Sequence, residues 1–389
     1  MNILVVSQHF FPDNFRINEV AVQLVKLGHS VTVLTSTPDY ATGYIPGEYK
    51  GKLEDDYFGV RVIRVETSER KTGIVNRAKN YFSFMMNSTK KIKSLDKKFD
   101  LVFSYQTSPV LMAHAAIKAK KYFKIPLVLY CLDLWPESLK VWNVGEKNPL
   151  FKIMHLYSKW AYKSADYLAV TSEPFKEYLV NFNKINSDKI TFLPQHCEPL
   201  ILEEKPLNKT PTFAFGGNIG AAQDIPTIIN AVNEIKELDF CVHIYGDGSE
   251  LENCKQLTNS LSLNDKIKFF GRVNKEELTN AYNNVDAFLL TLKQNGEVGN
   301  TIPAKLQEYM SAGKPIFASV GIGAKMVIEE SNCGVVCDAS DSKALADNMK
   351  DFILNPDKYA HCGKNGKDYF YNNYTMSIFI ERLLKLFNK

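Results

Sequence analysis

Apolar residues along the chain fall into two kinds of segment that alternate with each other. Short continuous apolar runs, such as residues 3–6 and 127–130, are separated by longer segments in which apolar side chains recur every three or four positions, as in 16–27. The short runs predict strands and the longer segments predict helices. Because the runs are apolar at consecutive positions, they predict parallel strands buried on both faces of a sheet.

This alternation occurs twice, which predicts an α/β protein with two doubly wound, Rossmann-like domains in tandem. The first series contains "ILVVSQ", "FDLVFSYQ", "PLVLYCLD" and "ADYLAVTS", and the second contains "TFAFGGNIG", "FCVHIYGDG", "IKFFGRV", "AFLLTL", "PIFASV" and "GVVCD". A chain of 389 residues is also too long for one ordinary core. We assign 1–200 to the N-terminal domain, 201–211 to a linker, 212–370 to the C-terminal domain, and 371–389 to a helix that packs back on the N-terminal domain.

Composition argues against several classes of protein. No apolar run approaches the roughly 18 residues of a membrane-spanning helix. The net charge of +4 is too small to indicate a nucleic acid partner. The seven cysteines include no C-x-x-C pair, which favours reduced thiols over metal ligands or disulfides. The first residues lack the basic leader of a signal peptide, so we expect a cytoplasmic protein.

One segment is strongly basic. Residues 70–98 contain nine Lys or Arg against one Asp, with "YFSFMM" in the middle. Basic side chains that flank aromatic residues and methionines suit the surface of an anionic membrane. The alternative is a solvated helix whose apolar face packs inward.

A glycine cluster follows the first predicted strand of the second domain. Gly216, Gly217 and Gly220 in "FGGNIGAAQDIPTIINAV" lie between that strand and a predicted helix. Such a turn presents backbone N–H groups at a helix N-terminus, where a phosphate is favoured. A plain tight turn would use the same residues.

A second motif, "NTIPAKLQEYMSAGKPI" at residues 300–316, predicts a short helix with a glycine at its end. Lys305 and Glu308 lie one turn apart and share a face of that helix. Such a pair is usually a surface ion pair. Here it follows a strand and a glycine-containing loop, where ligands of parallel sheets bind. Lys305 is predicted to bind the phosphates of a nucleotide sugar, and Glu308 is predicted to accept hydrogen bonds from its ribose.

Together these motifs resemble those of glycosyltransferases of family 4, which have the GT-B fold of two such domains facing a central cleft, over nearly the full chain. "QEYMSAGKPI" resembles the second half of the family signature, "FGGNIGAAQDIPTIINA" its phosphate loop, and "LVKLGHSVTVLT" its first-domain helix and strand. The resemblance implies retaining transfer from a nucleotide sugar without a metal ion or other cofactor, and a donor held mainly by the second domain. The predicted donor-binding residues are Gly217, Asn218, Gly220, Arg272, Asn300, Thr301, Lys305 and Glu308.

The departures from the family pattern carry information too. Asn300 stands where the family has the first glutamate of its signature, and Asn218 and Gln223 stand where its phosphate loop commonly has Arg and Lys. Lys305 is the expected substitute for the missing charge. This pattern resembles a bacterial branch that builds surface polysaccharides and includes N-acetylfucosamine transferases, which implies a UDP-sugar donor.

The first domain supplies further candidates. Asp133 in "YCLDLWPES" follows a predicted buried strand and is the candidate catalytic residue. It could orient the acceptor or take the proton of the acceptor hydroxyl. The alternative is that Asp133 only caps the next helix. Glu137 is a second candidate on the acceptor side. Arg16, in a loop that lacks the family's paired glycines, is predicted to bind a phosphate or to be a surface residue.

The sequence therefore predicts a cytoplasmic glycosyltransferase that is peripherally bound to the inner face of the cell membrane. It would transfer an N-acetylated amino sugar from UDP to a lipid diphosphate-linked saccharide in O-antigen or capsule synthesis. Two alternatives stay open at this point. One is an enzyme similar to UDP-N-acetylglucosamine 2-epimerase, and the other is a sugar-nucleotide-binding protein without catalysis, which Asn300 suggests.

Overall fold

The apolar runs form two separate sheets in the computed structural model, which describes residues 1–96, 98–142, 144–294 and 296–389. The chain divides into two units. The first unit is Met1–Leu193 together with Phe379–Lys389, and the second is Pro194–Ile378. Each unit has one sheet, as the two series of apolar runs predict.

The described residues of the first unit form an eight-stranded sheet in the order β3-β4-β2-β1-β5-β6-β7-β8. The strands are β1 (Asn2–Val6), β2 (Ser30–Ser36), β3 (Glu54–Tyr57), β4 (Val60–Val65), β5 (Leu101–Gln106), β6 (Leu127–Cys131), β7 (Tyr167–Val170) and β8 (Ile190–Phe192). All neighbours are parallel except β3 and β4. Every residue of β5 and β6 is buried, as expected for central strands of a sheet covered on both faces.

The helices between these strands cover the sheet. They are α1 (Arg16–Lys26), α2 (Ile74–Ile92), α3 (Ala113–Phe123), α4 (Pro149–Ser164) and α5 (Glu173–Asn181). The alanines of α3 let it lie close to the sheet, and Ala113, Ala116 and Ala119 are fully buried in the core of this unit.

The described part of the second unit has a six-stranded, fully parallel sheet in the order β11-β10-β9-β12-β13-β14. Its strands are β9 (Thr212–Gly216), β10 (Cys241–Tyr245), β11 (Ile267–Gly271), β12 (Ala287–Thr291), β13 (Ile316–Val320) and β14 (Gly334–Asp338). The helices are α6 (Ile225–Glu234), α7 (Leu251–Ser260), α8 (Lys275–Asn283), α9 (Ala304–Ala312), α10 (Ile322–Ser331), α11 (Ser342–Leu354), α12 (Ala360–Asn373) and α13 (Met376–Phe387), the last of which runs into the first unit. The predicted fold class, two doubly wound parallel-sheet domains, is confirmed.

The division between the units falls earlier than the predicted end of the first domain at residue 200. The backbone N–H of Cys197 donates to the carbonyl of Tyr374 (2.8 Å), and that of Leu200 donates to the Ser311 hydroxyl (2.8 Å). In the predicted linker, Asn208 bonds through its backbone N–H to the carboxylate of Asp286 (2.9 Å). These bonds tie residues from 197 onward to the second unit, which begins at Pro194.

The end of α13 belongs to the first unit, the domain on which the C-terminal helix was expected to pack. The ring of Phe387 lies 5.3 Å from that of Phe103, and the ring of Phe379 lies 5.9 Å from that of Tyr130. Phe103 and Tyr130 belong to the neighbouring central strands β5 and β6. The last helix therefore completes the core of the first unit.

Across the described residues, no helix has both the length and the apolar character needed to cross a bilayer. The seven cysteines are all free thiols.

Candidate functional site

The glycine loop after β9 is tied to the turn after β10 through its backbone. The N–H of Gly217 donates to the carbonyl of Tyr245, and the N–H of Ile219 donates to the carbonyl of Asp247, both at 2.8 Å. The loop therefore has a fixed course at the carboxyl end of the sheet, where ligands of such folds bind.

Two glycines make this course possible. Gly217 and Gly246 have φ angles of +134° and +139°, which side chains rarely allow. A Cβ atom on Gly246 would lie 1.7 Å from the carbonyl oxygen of Gly217. The two loops approach each other so closely that a methyl group does not fit between them.

Helix α9 is held beside the glycine loop by Tyr309. Its hydroxyl accepts a hydrogen bond from the N–H of Gly216 (2.9 Å), and its ring stacks on Phe288 of β12 with centroids 4.2 Å apart. Tyr309 is fully buried. Because it fixes the rotation of the helix, it also fixes which side chains of α9 face the loop.

Lys305, one turn before Tyr309, has a buried ammonium group. Its Nζ lies 4.0 Å from the centroid of the Phe215 ring, and a Cβ on Gly217 would lie 2.4 Å from Nζ. Among the residues that the structure describes, none provides a hydrogen-bond acceptor for this nitrogen. Burial lowers the pKa of Lys305 to about 8, and the charge of Glu308 acts in the opposite direction. A buried cation that lacks an acceptor beside a glycine loop is suited to binding an anion.

Glu308 lies on the same side of α9 and is only partly buried. Its negative charge opposes the lowering of the Lys305 pKa by burial. The pKa of Lys275, the first residue of α8, is raised mainly by its hydrogen bond to Glu198, and the charge of Glu308 adds to this effect. The structure therefore places Lys305 and Glu308 near each other on one side of α9.

A cavity of about 350 Å³ opens on the same loop. Its lining comes from the turns after β9, β10 and β11 and from the start of α8: Gly217, Asn218, Tyr245, Gly246, Asp247, Arg272, Val273 and Leu278. Three predicted donor-binding residues, Gly217, Asn218 and Arg272, meet here. The turn after β10 was not among the predicted donor-binding segments, although its "YGDG" follows a strand as the glycine cluster does.

The two amides that replace charged residues of the resembled family bond to each other. The side-chain N–H of Asn218 donates to Oε1 of Gln223 (3.0 Å), and the backbone N–H of Gly220 donates to the same oxygen (3.3 Å). Asn218 and Gln223 thus stabilise the loop without adding positive charge to it.

Asn300 lies at the end of a short 3₁₀ turn, Gly296–Asn300, and is buried. Its Oδ1 accepts from Gln294 (3.1 Å), and its Nδ2 donates to the carboxylate of Glu297 (3.0 Å). A carboxylate is therefore present beside Asn300, but it comes from Glu297, three residues earlier. Thr301, the next residue, is partly buried.

In the first unit, Asp133 follows β6 and is largely buried. Burial raises the pKa of its carboxyl group, while hydrogen bonds from the hydroxyl and backbone N–H of Ser108 act to lower it. The indole N–H of Trp135 donates to the Ser108 hydroxyl (3.0 Å), and Gln106 donates to the backbone carbonyl of Asp133 (3.1 Å). These partners hold the carboxylate in one orientation.

Arg16 and Asp133 lie near the same buried phenol. Burial raises the pKa of Tyr105; the charge of Arg16 opposes this effect and that of Asp133 adds to it. Glu137, in contrast, is buried and makes its contacts inside the unit. Its carboxylate accepts from Tyr178 (3.0 Å) and pairs with Lys140 (2.8 Å). We therefore regard Glu137 as a structural residue and do not include it in the proposed site.

Comparison with known proteins agrees with this geometry. Residues 15–195 match the model "Glycosyltransferase Family 4", and residues 200–369 match the model "Glycosyl transferases group 1". The chain is a GT4-like glycosyltransferase. The matches leave unmatched only short segments at the two ends of the chain and residues 196–199 between the two matched regions.

Relatives and solved structures show the same likeness. The probable glycosyltransferase WbjE of Pseudomonas aeruginosa is 25% identical over 343 residues, which are 79% of this chain and 84% of the relative. The lipopolysaccharide core biosynthesis glycosyltransferase LpsD of Rhizobium meliloti (strain 1021) is 27% identical over 188 residues, 46% of this chain and 51% of the relative. The structure of Anabaena Alr3699/HepE in complex with UDP covers 100% of both chains at 13% identity and a TM-score of 0.73, which shows the GT-B fold.

We predict that Gly246→Ala destabilises the GT4-like enzyme more than Gly271→Ala does. The first substitution combines a positive φ with a backbone clash, and should lower the free energy of unfolding by about 2 kcal/mol or more. At Gly271, which has a φ of +70° and open space within 4 Å of where a Cβ would lie, about 1 kcal/mol is expected from backbone strain alone. Urea denaturation measures both, and equal losses would contradict the described packing of the two loops.

Lys305→Met should stabilise the nucleotide-free enzyme at about pH 7, because it removes a buried, unpaired ammonium with little change in volume. The folded pKa of about 8 lies below the unfolded value of about 10.4, so the unfolded chain binds more protons between these values. Stability of the wild type should therefore rise with pH in this window, and the advantage of the variant should shrink.

Thermal midpoints of both proteins at about pH 7 and about pH 10 check this expectation. Burial also lowers the pKa of Lys314 to about 8, but Lys314 is present in both proteins and its effect cancels in the difference. A Met variant that is less stable than the wild type at about pH 7 would show that the ammonium has a partner in the folded enzyme.

Proposed function

We propose that this GT4-like enzyme transfers a sugar from a UDP-sugar to a lipid diphosphate-linked saccharide in the synthesis of a bacterial surface polysaccharide. The observation that carries the donor assignment is the buried, unpaired ammonium of Lys305 between Phe215 and Gly217. A diphosphate needs a cation that is not already neutralised, and Lys305 meets that requirement without a metal ion.

The remaining donor contacts follow from the same loop. The phosphates would lie against the glycine loop beside Lys305, and Glu308 would accept hydrogen bonds from the ribose hydroxyls. Arg272 and Tyr245, which line the cavity beside the loop, would contact the base. Asn300 and Thr301 would contact the sugar, proposed to be an N-acetylated amino sugar such as N-acetylfucosamine. The UDP bound in the HepE structure and the name of LpsD support the donor class and the surface-glycan acceptor.

We propose a retaining reaction in which the acceptor hydroxyl attacks the anomeric carbon from the face on which UDP departs. The new bond joins the acceptor oxygen to the anomeric carbon, and the bond from that carbon to the β-phosphate oxygen breaks. The hydroxyl proton passes to the departing diphosphate, whose negative charge Lys305 stabilises. Asp133 orients the acceptor hydroxyl through its carboxylate, and Arg16 binds a phosphate of the acceptor lipid.

A nucleotide series provides the first test of the donor. A ligand that binds only the folded state raises the thermal midpoint, and a tighter ligand raises it more. UDP should therefore raise the midpoint more than GDP, dTDP, ADP or CMP does, both with and without EDTA. Product analysis with a UDP-sugar and a lipid diphosphate-linked acceptor then tests the reaction. An epimer formed without acceptor would favour the epimerase alternative, and binding without turnover would favour a non-catalytic binding protein.

Lys305→Met should weaken UDP binding by roughly tenfold or more, since a hydrogen bond to a charged group contributes about 1.5–3 kcal/mol. The affinity of the wild type should also fall as the pH rises through about 8, where the free ammonium loses its proton, and the variant should lack this dependence. Calorimetric titration at several pH values measures both effects. Lys293→Met is the matched control, because Lys293 follows β12 near the glycine loop and its side chain is 46% exposed. Equal losses of UDP affinity in the two variants would contradict the role of Lys305.

Asp133→Asn should lower the rate of transfer about a hundredfold or more while leaving UDP affinity unchanged, because the residue acts on the acceptor. Initial rates with a saturating UDP-sugar, together with UDP titrations, separate the two effects. Glu137→Gln serves as the control: it should lower the thermal midpoint by disturbing the Tyr178 and Lys140 contacts, with a smaller effect on the rate. Full activity of Asp133→Asn would reduce Asp133 to a structural residue.

A further inference from the structure

Helices α2, α3 and α4 of the first unit lie side by side on its surface. A ring nitrogen of His114 in α3 is hydrogen-bonded to the Tyr157 hydroxyl of α4 (3.0 Å), and the same hydroxyl lies 4.0 Å from the sulfur of Met85 in α2. Trp160 of α4 also packs against His114, with ring centroids 5.5 Å apart. We call the outer side of these three helices the α2–α4 face.

This face is strongly and uniformly basic. The helices carry four, three and three Lys or Arg side chains, ten in all, and none of the three contains Asp or Glu. The whole chain has a net charge of only +4, so the rest of the molecule is net negative by six. Of the ten, Lys120 is paired with Asp166 (2.7 Å), a residue that lies after α4. The charge of the chain is therefore concentrated on this face.

Large apolar side chains on the face point into solvent. On α2 these are Val75, Phe82 and Met86, and on α4 they are Ile153, Leu156 and Trp160, with exposed fractions between 37% and 68%. Their spacing of three, four or seven residues places each set on one side of its helix. Basic residues continue the same two stripes: Lys79 and Lys90 on α2, and Lys163 on α4.

This combination identifies the class of partner. The centre of a protein–protein interface is depleted in lysine, because burying an ammonium against another protein is unfavourable. At an anionic bilayer, in contrast, apolar side chains enter the headgroup region while lysine stems extend toward the phosphates. Each basic side chain near such a surface adds to binding.

We propose that the α2–α4 face docks on an anionic membrane surface, with Ile153, Leu156 and Trp160 of α4 inserted among the lipid headgroups beside Val75, Phe82 and Met86 of α2. The sequence pointed only to residues 70–98, so α4 is a second and independent insertion element. This inference rests on the proposed function only in that the acceptor of that reaction is a membrane lipid.

Flotation with vesicles tests the proposal on the full-length chain. The wild type should float with phosphatidylcholine vesicles that contain phosphatidylglycerol, and much less with phosphatidylcholine alone. Ile153→Glu with Leu156→Glu should lower the partition coefficient roughly tenfold or more, and Phe82→Glu with Met86→Glu should do the same. The matched control is Leu354→Glu with Tyr371→Glu, two exposed apolar residues of the second unit, which should float like the wild type.

Tryptophan fluorescence gives a measurement that needs no charged variant of α4. Acyl chains brominated near the headgroup should quench the wild-type emission, and Trp160→Phe should remove most of that quenching. Failure of the wild type to bind the anionic vesicles, wild-type binding by the α4 variant, or unchanged quenching in Trp160→Phe would each overturn the proposal.

The membrane and transferase proposals can fail separately. The thermal shift with UDP should be the same in all these variants, because the donor residues belong to the second unit. Transfer to a water-soluble, short-chain acceptor should also be retained. Loss of vesicle binding with an intact UDP shift therefore reports on the α2–α4 face alone, whereas a missing UDP shift in the wild type concerns only the proposed donor.

Discussion

The close packing of α9 on the carboxyl end of β9 is the constraint on which the candidate donor site depends. The bond from the Gly216 N–H to the Tyr309 hydroxyl and the stacking of Tyr309 on Phe288 fix the helix. This places the Lys305 ammonium against Phe215 and Gly217, where it has no acceptor among the described residues. Burying an unpaired cation is unfavourable. The fold tolerates it because the surrounding contacts over-determine the position of the helix, as is common at functional sites.

The same arrangement explains how the loop manages without the charged residues of the resembled family. Asn218 and Gln223 bond to each other and to the backbone of Gly220, so they shape the loop and leave its net charge unchanged. In the proposed donor site, a single cation on α9 would then bind the diphosphate in a partly dehydrated environment, where its charge acts more strongly than it would in water. A similar replacement occurs at Asn300. This residue has no carboxylate, but its hydrogen-bond partner Glu297 provides one beside it.

Much of the fold could be predicted from the sequence, because continuous apolar runs have few structural solutions other than buried parallel strands. The meeting of Gly217, Asn218 and Arg272 was also predictable, since the carboxyl ends of parallel strands share one edge of the sheet. The boundary at residue 194 was not, because backbone bonds of an irregular segment leave no periodic signal. The pairing of Glu297 with Asn300 and the occupied carboxylate of Glu137 depend on side-chain geometry. The exposed apolar stripe of α4 was not predicted. Apolar residues at helical spacing indicate that they share one side of a helix, but not whether that side faces the core or the solvent.

The two proposals thus assign positive charge two physically different roles, membrane docking and donor binding, and ionic strength distinguishes them. The side chains of the α2–α4 face are exposed, and at physiological ionic strength their attraction is screened over about 8 Å. They act together, so a modest rise in salt weakens the whole set. Lys305 acts alone and is buried, where mobile ions do not reach, so its interaction with an anion is screened far less. Salt should therefore separate membrane docking from donor binding without any substitution. A rise in pH through about 8 provides a second separation, because it acts on Lys305, whose pKa is lowered by burial.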